Sequence, residues 1–367
     1  MRFIGLYFFN LLLSCNLNGQ YEVKKIPSIY INDKIVKDSS SNYSNAESAV
    51  SYLPINYVQD ASVDYTDNIQ EAINKNEVII LPNFPILIND NGIKLKNNTI
   101  LIFNKKSKFI LKPSDKQGYG LININNISNV KIFNMNIVGD RKNHLSNKGE
   151  WGMGVNIINS KNVFIYNSNI KDFWGDGIYI GGNNFSSNIN ILGGLIDNNR
   201  RNGISIISGK KILLKKLLIS NTNGANPQTG LDIEPNTEIN KIIDLIVEDV
   251  TTFNNFNSGT SLYINNLKGY NTSNNVNIYI NNYNDIDSKY GMSFYNLKSE
   301  KKKGLKGNII LKNINLINNN IPLRFRDNNF SLDNIELEYN NIKVNNKIDN
   351  NILIELKSLN KNKIKRN

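Results

Sequence analysis

The sequence is poor in several residues and patterns that would point directly to a function. It contains one cysteine, Cys15, so an internal disulfide is excluded. No block of Lys and Arg precedes the last few residues, "NKNKIKRN", and the aromatic-plus-glycine signatures of RNA-binding modules are missing. No apolar run reaches the length of a comfortable transmembrane helix. We therefore predict no nucleic-acid partner and no membrane-spanning segment.

The chain does have the composition of a folded protein with an excess of positive charge. Of its 367 residues, 40% are hydrophobic and 20% are charged, which is ordinary for a globular protein. Lys and Arg number 43 against 31 acidic residues, which gives a net charge of +12. Such a charge favours polyanionic partners, namely nucleic acid, anionic lipid or an acidic polysaccharide. The charge alone does not choose among these partners.

The N-terminal stretch "MRFIGLYFFNLLLSCN" predicts export. One Arg precedes an apolar run of about a dozen residues, which is the length of a secretory signal core. The run ends in "LLSC", which resembles the bacterial lipoprotein signal, whose cysteine is lipidated and becomes the mature N-terminus. The alternative is an ordinary signal peptide with an incidental cysteine. We predict a lipidated Cys15 that anchors the protein at the periplasmic or outer surface of a bacterial cell envelope.

Short apolar strands separated by Asn, Gly and Asp recur along most of the chain. Segments such as "GLINI", "GVNII", "GIYIG", "GISII" and "GLDIE" can be stacked, and "SLYIN", "GMSFY" and "PLRFR" continue the series. From Gly154 onward they are 23, 26, 27, 31, 30 and 31 residues apart, and the step from Gly120 to Gly154 is 34. An all-strand repeat of this period predicts a parallel β-helix, in which neighbouring coils share one core.

The stacked segments also predict which side chains face the core. Positions two and four of each segment are apolar and should point inward, so positions three and five should point outward. Asn at the turns should form side-chain ladders between coils. At the N-terminal end, "TDNIQEAINK" predicts a helix with Thr66 as its N-cap, and this helix would cover the exposed strand edges of the first coil.

The segments "DYTDNIQEAI", "WGDGIYIG", "NNRRNGISIISG" and "NTNGANPQTGLDIEPN" together resemble the pectin-lyase-like superfamily over roughly residues 64–340. The resemblance implies an all-β fold, a single-stranded right-handed parallel β-helix with an N-terminal capping helix. It does not fix an activity, because the superfamily includes hydrolases, lyases, epimerases, phage depolymerases and adhesins. The predicted organisation is a signal peptide with the anchor cysteine, a flexible tether, the β-helix, and a C-terminal cap with a basic tail, at 1–19, 20–60, 61–345 and 346–367.

Asp232 and Glu234 in "TGLDIEPN" are the first candidate site residues. They are two apart on a strand, so both should face outward at a separation of roughly 6.5 to 7 Å. Glycosidase carboxyl pairs span roughly 5 to 9.5 Å, and Ca²⁺ also takes such oxygen ligands. Proximity should raise one pKa of the pair, which makes one partner an acid. The alternative is a solvated acidic pair balanced by nearby lysines.

Asp176 in "WGDGIYIG" and the arginines Arg200 and Arg201 are the next candidates. In polygalacturonase-type relatives an Asp at the position of Asp176 is a site acid, but their Asp-Asp pair and Gly-His-Gly are missing here. In pectate-lyase relatives an Arg acts as the base beside a bound Ca²⁺, which would become the cofactor if this chain is a lyase. The alternatives are a turn Asp bonded to its own backbone and a structural ion pair from an Arg to Asp176 or Asp197.

A long loop from Gly139 to Gly154 explains the 34-residue step and should lie on the binding face. It supplies Glu150 as a further candidate acid and His144 as a candidate base, although a lone loop His is more often exposed. Side chains predicted to bind or stack on sugar are Trp151, Trp174, Tyr179, Tyr263, Ser205 and His144.

These predictions combine into one hypothesis and one alternative. The hypothesis is a lipid-anchored enzyme that cleaves glycosidic bonds of an acidic polysaccharide, with hydrolase and lyase left open. The alternative is a non-catalytic glycan-binding or adhesive β-helix. A monomer is expected, with a trimer of β-helices as the other option. Catalysis requires that Asp176, Asp232, Glu234 and an Arg converge in one place.

Overall fold

The computed structural model describes residues 21–43, 45–264, 266–267, 275–295, 306–325 and 335–359. Within them the chain winds as a parallel β-helix, and its strands form two sheets that run the length of the solenoid. Neighbouring coils pair through parallel strands. The predicted fold class is confirmed. Cys15 and the rest of the predicted signal lie outside the described residues, and no helix within them is long and apolar enough to span a bilayer.

The longer sheet contains the second strand of each coil. Its strands are β1 (Glu47–Ser48), β2 (Val78–Ile80), β3 (Pro85–Ile88), β5 (Ile100–Ile102), β6 (Lys108–Leu111), β8 (Ser128–Phe133), β9 (Asn136–Val138), β11 (Lys161–Lys171), β13 (Ser186–Asp197), β15 (Gly209–Ser220), β17 (Ile242–Glu248), β18 (Thr251–Phe253), β20 (Asn275–Ile286), β22 (Lys306–Ile317), β24 (Ile335–Val344) and β25 (Lys347–Ile348).

The shorter sheet contains the repeated segments of the sequence. Its strands are β4 (Ile93–Lys94), β7 (Gly118–Asn125), β10 (Trp151–Ile158), β12 (Ile178–Gly181), β14 (Asn202–Ile206), β16 (Thr229–Ile233), β19 (Ser258–Tyr263), β21 (Tyr290–Tyr295) and β23 (Ile321–Phe325), stacked in this order. The core follows the predicted alternation. Ile178, Ile204 and Leu231 pair on three successive coils, and each is fully buried.

The predicted stacking is off by one residue at its first segment and by two at a later one. Met153, not Gly154, pairs with Gly120. In this register Asn123 faces outward beside Asn156, and Ile122 is buried. In β19 the residue aligned with Asp232 is Ser261, so Tyr263 lies two positions further along the strand than predicted. A two-residue shift keeps every side chain on its face, since the strand period is two.

Asparagine ladders bind neighbouring coils at the turns, as predicted. Asn129 donates to Asn98, Asn162 to Asn129 and Asn188 to Asn162, over 3.0, 2.9 and 2.8 Å. All four have positive φ, a conformation that Asn adopts more easily than most residues. The composition of the turns therefore serves both the backbone bend and the contact between coils.

Helices close both described ends of the solenoid. The helix α2 (Thr66–Lys75) buries Ile69, Ala72 and Ile73 over the first coil, which confirms the capping helix. Its first turn is held by Asp64, whose carboxylate accepts from the backbone N–H and hydroxyl of Thr66. Thr66 is thus the first helical residue rather than the cap. The helix α3 (Asn350–Leu359) buries Leu356 at the C-terminal end.

The segment predicted as a tether lies along the outside of the solenoid. It contains α1 (Ser28–Asn32) and two 3-10 turns, Ser40–Asn42 and Ala49–Tyr52. Asn167 exchanges hydrogen bonds with the backbone of Val36, and Asn221 does the same with Lys24. The side-chain amides of these turn asparagines lie at the surface of the solenoid, where they bind the backbone of residues 21–43, the strap. The composition of the strap itself does not predict this contact.

Candidate functional site

The candidate site lies where the chain enters three neighbouring strands of the shorter sheet. Asp176 precedes β12 and is fully buried. Its carboxylate accepts from the backbone N–H of Asn202 over 3.0 Å and from the hydroxyl of Ser205 over 2.7 Å. Burial raises the pKa of Asp176, and the nearby guanidinium of Arg201 opposes that rise. The Asp is therefore held from the next coil, and it is not a turn residue bonded to its own backbone.

Arg201 lies among four carboxyl groups from three other coils, and three of these groups are within ion-pair distance. Its Nη1 lies 3.1 Å from Asp176, its Nε 3.9 Å from Glu150, and its Nη2 3.8 Å from Glu234. Burial lowers the pKa of Arg201, but Asp176, Asp232, Glu234 and Glu150 together raise it above its ordinary value. The convergence that catalysis requires is present in the structure.

The pair Asp232 and Glu234 is split between the interior and the surface. Asp232 is 1% exposed, whereas the Glu234 side chain is 29% exposed. Burial raises the pKa of Asp232 well above its ordinary value, and the charge of Glu234, to which it is hydrogen-bonded, raises it further. Asp232 also accepts from the Asn202 amide over 3.1 Å. The prediction that both carboxylates face solvent is thus half right, because Asp232 is covered by its neighbours.

The long loop brings Glu150 to the same guanidinium. Arg200 donates to the carbonyl of Gly149 over 2.8 Å, and the Trp174 indole N–H donates to the carbonyl of Lys148 over 3.2 Å. The Arg200 guanidinium lies 3.8 Å above the Trp174 ring. These two side chains therefore hold the loop, and the loop presents Glu150, whose side chain is 40% exposed, together with Trp151, which is 54% exposed.

His144 lies inside the loop and not on its surface. Its side chain is fully buried, its Nδ1 is 2.8 Å from Asp140, and its ring stacks on Trp174 at 4.1 Å. The Tyr119 hydroxyl also donates to Asp140. Among the described residues His144 Nε2 has no hydrogen-bond partner. Neither the expected exposure of this His nor a role as a solvent-facing base fits this position, because Trp174 and the loop cover the ring.

The remaining predicted contacts lie in two neighbouring rows of the shorter sheet. Tyr179 and Ser205 are aligned on neighbouring strands beside Asp176, and burial raises the pKa of Tyr179. Tyr263 pairs with Tyr295 further toward the C-terminal end. The residue that the sequence analysis missed is Asn202, which contacts Asp176, Ser205 and Asp232. The sequence does carry a signal for Asn202. It stands directly before Gly203, the first residue of a repeated segment, as Asp176 stands directly before Gly177 one coil earlier.

The side chains around Arg201 fit a guanidinium better than a metal ion. Ca²⁺ takes six to eight oxygen ligands. Here the carboxylates of Asp176, Glu150 and Glu234 already face a cationic side chain. In the part of the chain that the structure describes, no three His, Cys, Asp or Glu side chains form a group that could hold a metal. The calcium site at Asp232 and Glu234 stays a prediction.

Comparison with known proteins places the fold. No protein-family model matches the chain. The structural match to the surface adhesin PfbA of Streptococcus pneumoniae covers 81% of this chain and 83% of the PfbA chain at 14% identity, with a TM-score of 0.51. A polygalacturonase from Erwinia carotovora covers 84% and 96% at 12% identity, with the same TM-score of 0.51. The chain has the pectin-lyase-like fold. At these identities the likeness describes architecture alone.

Two curated proteins of Bacillus subtilis (strain 168) match parts of this chain. The SPbeta prophage-derived uncharacterized protein YorA is 29% identical over 162 residues, 39% of the chain. The uncharacterized protein YclG is 26% identical over 196 residues, 49% of the chain. The chain spans 28% and 34% of the lengths of these relatives. The site geometry, not these relatives, therefore has to carry any functional argument.

Proposed function

We propose that the chain hydrolyses glycosidic bonds of an acidic polysaccharide at the Arg201 centre. The observation that supports this most directly is the placement of Glu150 and Glu234, two partly exposed carboxylates that lie 3.9 and 3.8 Å from Nε and Nη2 of one guanidinium. Two contacts and the width of a guanidinium group keep these carboxylates within about 10 Å of each other. Glycosidases place their two carboxyl groups at roughly 5 to 9.5 Å.

Asp232 supplies the proton in this proposal. In this proposal the hydrogen-bonded pair of Asp232 and Glu234 shares one proton, which burial favours because it raises the pKa of Asp232 well above the ordinary value. Glu234 is the partner that reaches the surface, so it donates that proton to the departing glycosidic oxygen. Asp232 gives up its share of that proton across the hydrogen bond, so both carboxylates of the pair are left ionised. Glu150 later releases to solvent the proton that it took from water, and a proton from solvent restores the pair.

Glu150 acts as the base in this proposal. It removes a proton from water while the water oxygen attacks the anomeric carbon, so one C–O bond forms as the other breaks. Arg201 holds both carboxylates in place and is itself fixed by the buried Asp176. Trp151 and Tyr179 lie beside the acids as stacking surfaces for sugar rings.

The same geometry disfavours a lyase that uses Arg201 as its base. A base must give up its proton before it can abstract one, and the four carboxyl groups raise the pKa of Arg201 above its ordinary value. Arg200 stacks on Trp174 and donates to a carbonyl, so it is engaged in holding the loop. Hydrolysis is therefore the reaction that these side chains support best.

The test is incubation of the purified chain with a panel of uronic-acid polysaccharides. New reducing ends without absorbance near 235 nm are the expected result. Absorbance near 235 nm (the unsaturated product) would instead show a lyase. Retention on a glycan column without either signal would support the second candidate, a glycan-binding protein. In that case the ion pairs of Arg201 would have a structural role only.

We further propose that the protein is exported and lipidated at Cys15. The support is the apolar run that ends in "LLSC" in the sequence. Expression of the full chain and of Cys15→Ala in a bacterium fed labelled fatty acid tests the proposal. Label and membrane association in the parent, and neither in the variant, are expected; an unlabelled parent would refute lipidation.

A further inference from the structure

A row of aligned side chains leads from the Arg201 centre to a second arginine. Asp232 pairs with Ser261, Ser261 with Ser293, and Ser293 with Arg324 on successive strands of the shorter sheet. Adjacent strands lie about 4.8 Å apart, so Arg324 is about 14 Å from Asp232 along the solenoid. Both side chains occupy the same register position, and they therefore belong to the same face.

The two residues between them do not reach solvent. Ser261 and Ser293 are 4% and 0% exposed, so the only charged side chain of the row beyond Asp232 is Arg324. Tyr263 and Tyr295 form the next row, and their rings meet edge to face at 5.7 Å. Of the two, the partly exposed Tyr263 offers an aromatic surface to the apolar face of a sugar ring.

Arg324 places a positive charge at the end of the aligned row. Its guanidinium carbon lies 4.2 Å from the ring centroid of Tyr290 and 5.9 Å from that of Tyr295. No Asp or Glu among the described residues lies within ion-pair distance of it, in contrast to Arg201 with its three ion pairs. A guanidinium that contacts aromatic rings through its π face can still donate its N–H groups to a planar anion such as a carboxylate.

The Arg201 centre repels the group that Arg324 attracts. Four carboxyl groups surround Arg201, and even with one proton in the Asp232–Glu234 pair the acids outnumber this guanidinium. An anionic substituent on the sugar at the cleaved bond would therefore meet carboxylates of its own sign. Anion recognition and bond cleavage are separated along the row.

We propose that Arg324, with Tyr290 and Tyr295, is an anion subsite that binds a carboxylate of the glycan about three coils from the acids. The proposal rests on the proposed function for the nature of the ligand. It implies that the polysaccharide carries its charge at intervals, with an uncharged sugar at the cleaved bond and an acidic sugar at Arg324.

Binding and cleavage can be tested separately. The full chain carrying Glu234→Gln, which removes the acid, is run through gels that contain hyaluronate, gellan or glucuronoxylan, in which uncharged sugars separate the carboxylates, and through gels with the carboxyl-reduced form of each. Arg324→Gln in this background should weaken binding to the carboxylated polymer about tenfold, the effect of a lost charge-assisted hydrogen bond. It should leave binding to the reduced polymer unchanged. Arg324→Lys, which keeps the charge without the fork, should fall between.

Lys312→Gln, on the longer sheet, is the matched control for loss of one positive charge and should not change binding. Equal loss of affinity for both forms of the polymer, no effect of Arg324→Gln, or no binding of the parent to any carboxylated polymer would each overturn the subsite. If the subsite holds while the active chain cleaves nothing, the proposed hydrolysis fails on its own and the protein is a binder.

Discussion

The Arg201 guanidinium lies 3.1 Å from the carboxylate of Asp176, and the two side chains are 16% and 0% exposed. Asp176 and Arg201 lie just before the paired strands β12 and β14, so the contact joins two neighbouring turns of the solenoid. A buried carboxylate is costly unless a partner and hydrogen bonds compensate it. Asp176 has both, from Arg201, Asn202 and Ser205. The ion pair therefore sets the positions from which Glu150 and Glu234 face solvent.

Removal of Arg201 should destabilise the protein more than removal of a surface charge. Arg201→Gln leaves Asp176 buried without its cation, and such a change costs about 3–5 kcal/mol. The free energy of unfolding from urea titration measures it. Arg201→Gln combined with Asp176→Asn should recover much of the loss, because no buried charge remains. Lys215→Gln, from the partly exposed pair with Glu248, is the control and should change little. Equal losses in the free energy of unfolding for Arg201→Gln and Lys215→Gln would contradict the role of the ion pair.

Glu234→Gln and Glu150→Gln should each abolish most of the hydrolysis. A positioned acid or base contributes about 10²- to 10⁴-fold to the rate, and the amide keeps the size of the side chain without its proton chemistry. Initial rates of reducing-end formation provide the measurement, and circular dichroism checks the fold. Glu248→Gln on the longer sheet is the matched control and should retain full activity. Full activity in either site variant would remove that residue from the mechanism.

Gly175→Ala should reduce activity through the loop that carries Glu150. A methyl group at Gly175 would lie 2.6 Å from the carbonyl oxygen of Glu150 and 3.0 Å from that of Gly152. Both are backbone atoms, so the loop must move, and a displacement of about 1 Å can cost roughly 100-fold in rate. Gly209→Ala, which meets the flexible end of Ile212, should keep its activity. A Gly175→Ala enzyme with an unchanged rate would show that Glu150 need not be held so closely.

Asp285 should make stability depend on pH near neutrality. It is buried in the C-terminal coils, and burial raises its pKa to about 7 although Thr252 and Ser288 donate hydrogen bonds to it. An acid whose folded pKa is raised contributes its stability below the unfolded pKa of about 4 and loses it as the pH rises to about 7. The free energy of unfolding of the parent relative to Asp285→Asn should therefore fall by up to about 4 kcal/mol over this range. A difference that is constant from pH 4 to pH 8 would contradict the raised pKa.

Removal of divalent cations should leave hydrolysis intact. The carboxylates around Arg201 are already paired with a guanidinium, so the proposed acid and base do not depend on a metal. Activity with and without EDTA measures this, and a mutant with reduced activity serves as the assay control. Loss of activity that Ca²⁺ restores and Mg²⁺ does not would revive the calcium site predicted at Asp232 and Glu234.

Much of the fold could be predicted because the repeat is local. Each coil has its own alternation of inward apolar and outward residues, so the inward direction of Leu231 and Ile233 can be predicted without knowledge of any distant residue. The capping helix has its own signal in Ile69, Ala72 and Ile73. Exact register is less local, because segments of unequal length can be aligned at more than one offset. That is why Tyr263 was placed two positions from its true neighbour.

The roles within the site depended on contacts between coils. Sequence alone selected Asp176, Arg201, Asp232 and Glu234 as outward or turn residues of successive coils. It could not show that Asp232 is covered, that Arg200 and Trp174 hold a loop, or that His144 lies beneath that loop. Each of these facts depends on side chains from different coils that meet across a few ångströms.

The amino-acid sequence by itself determined the β-helix, its caps, its Asn-rich turns and the coils on which the acidic residues and arginines lie, because those properties follow from local alternation and turn chemistry. Only the tertiary structure decided which carboxylates are buried and which face solvent. Burial and charge pairing arise from neighbours that are 25 to 30 residues apart in the chain, such as Arg201 with Asp176 and Asn202 with Asp232. The proposed division between a proton-holding acid and an exposed one rests on that packing.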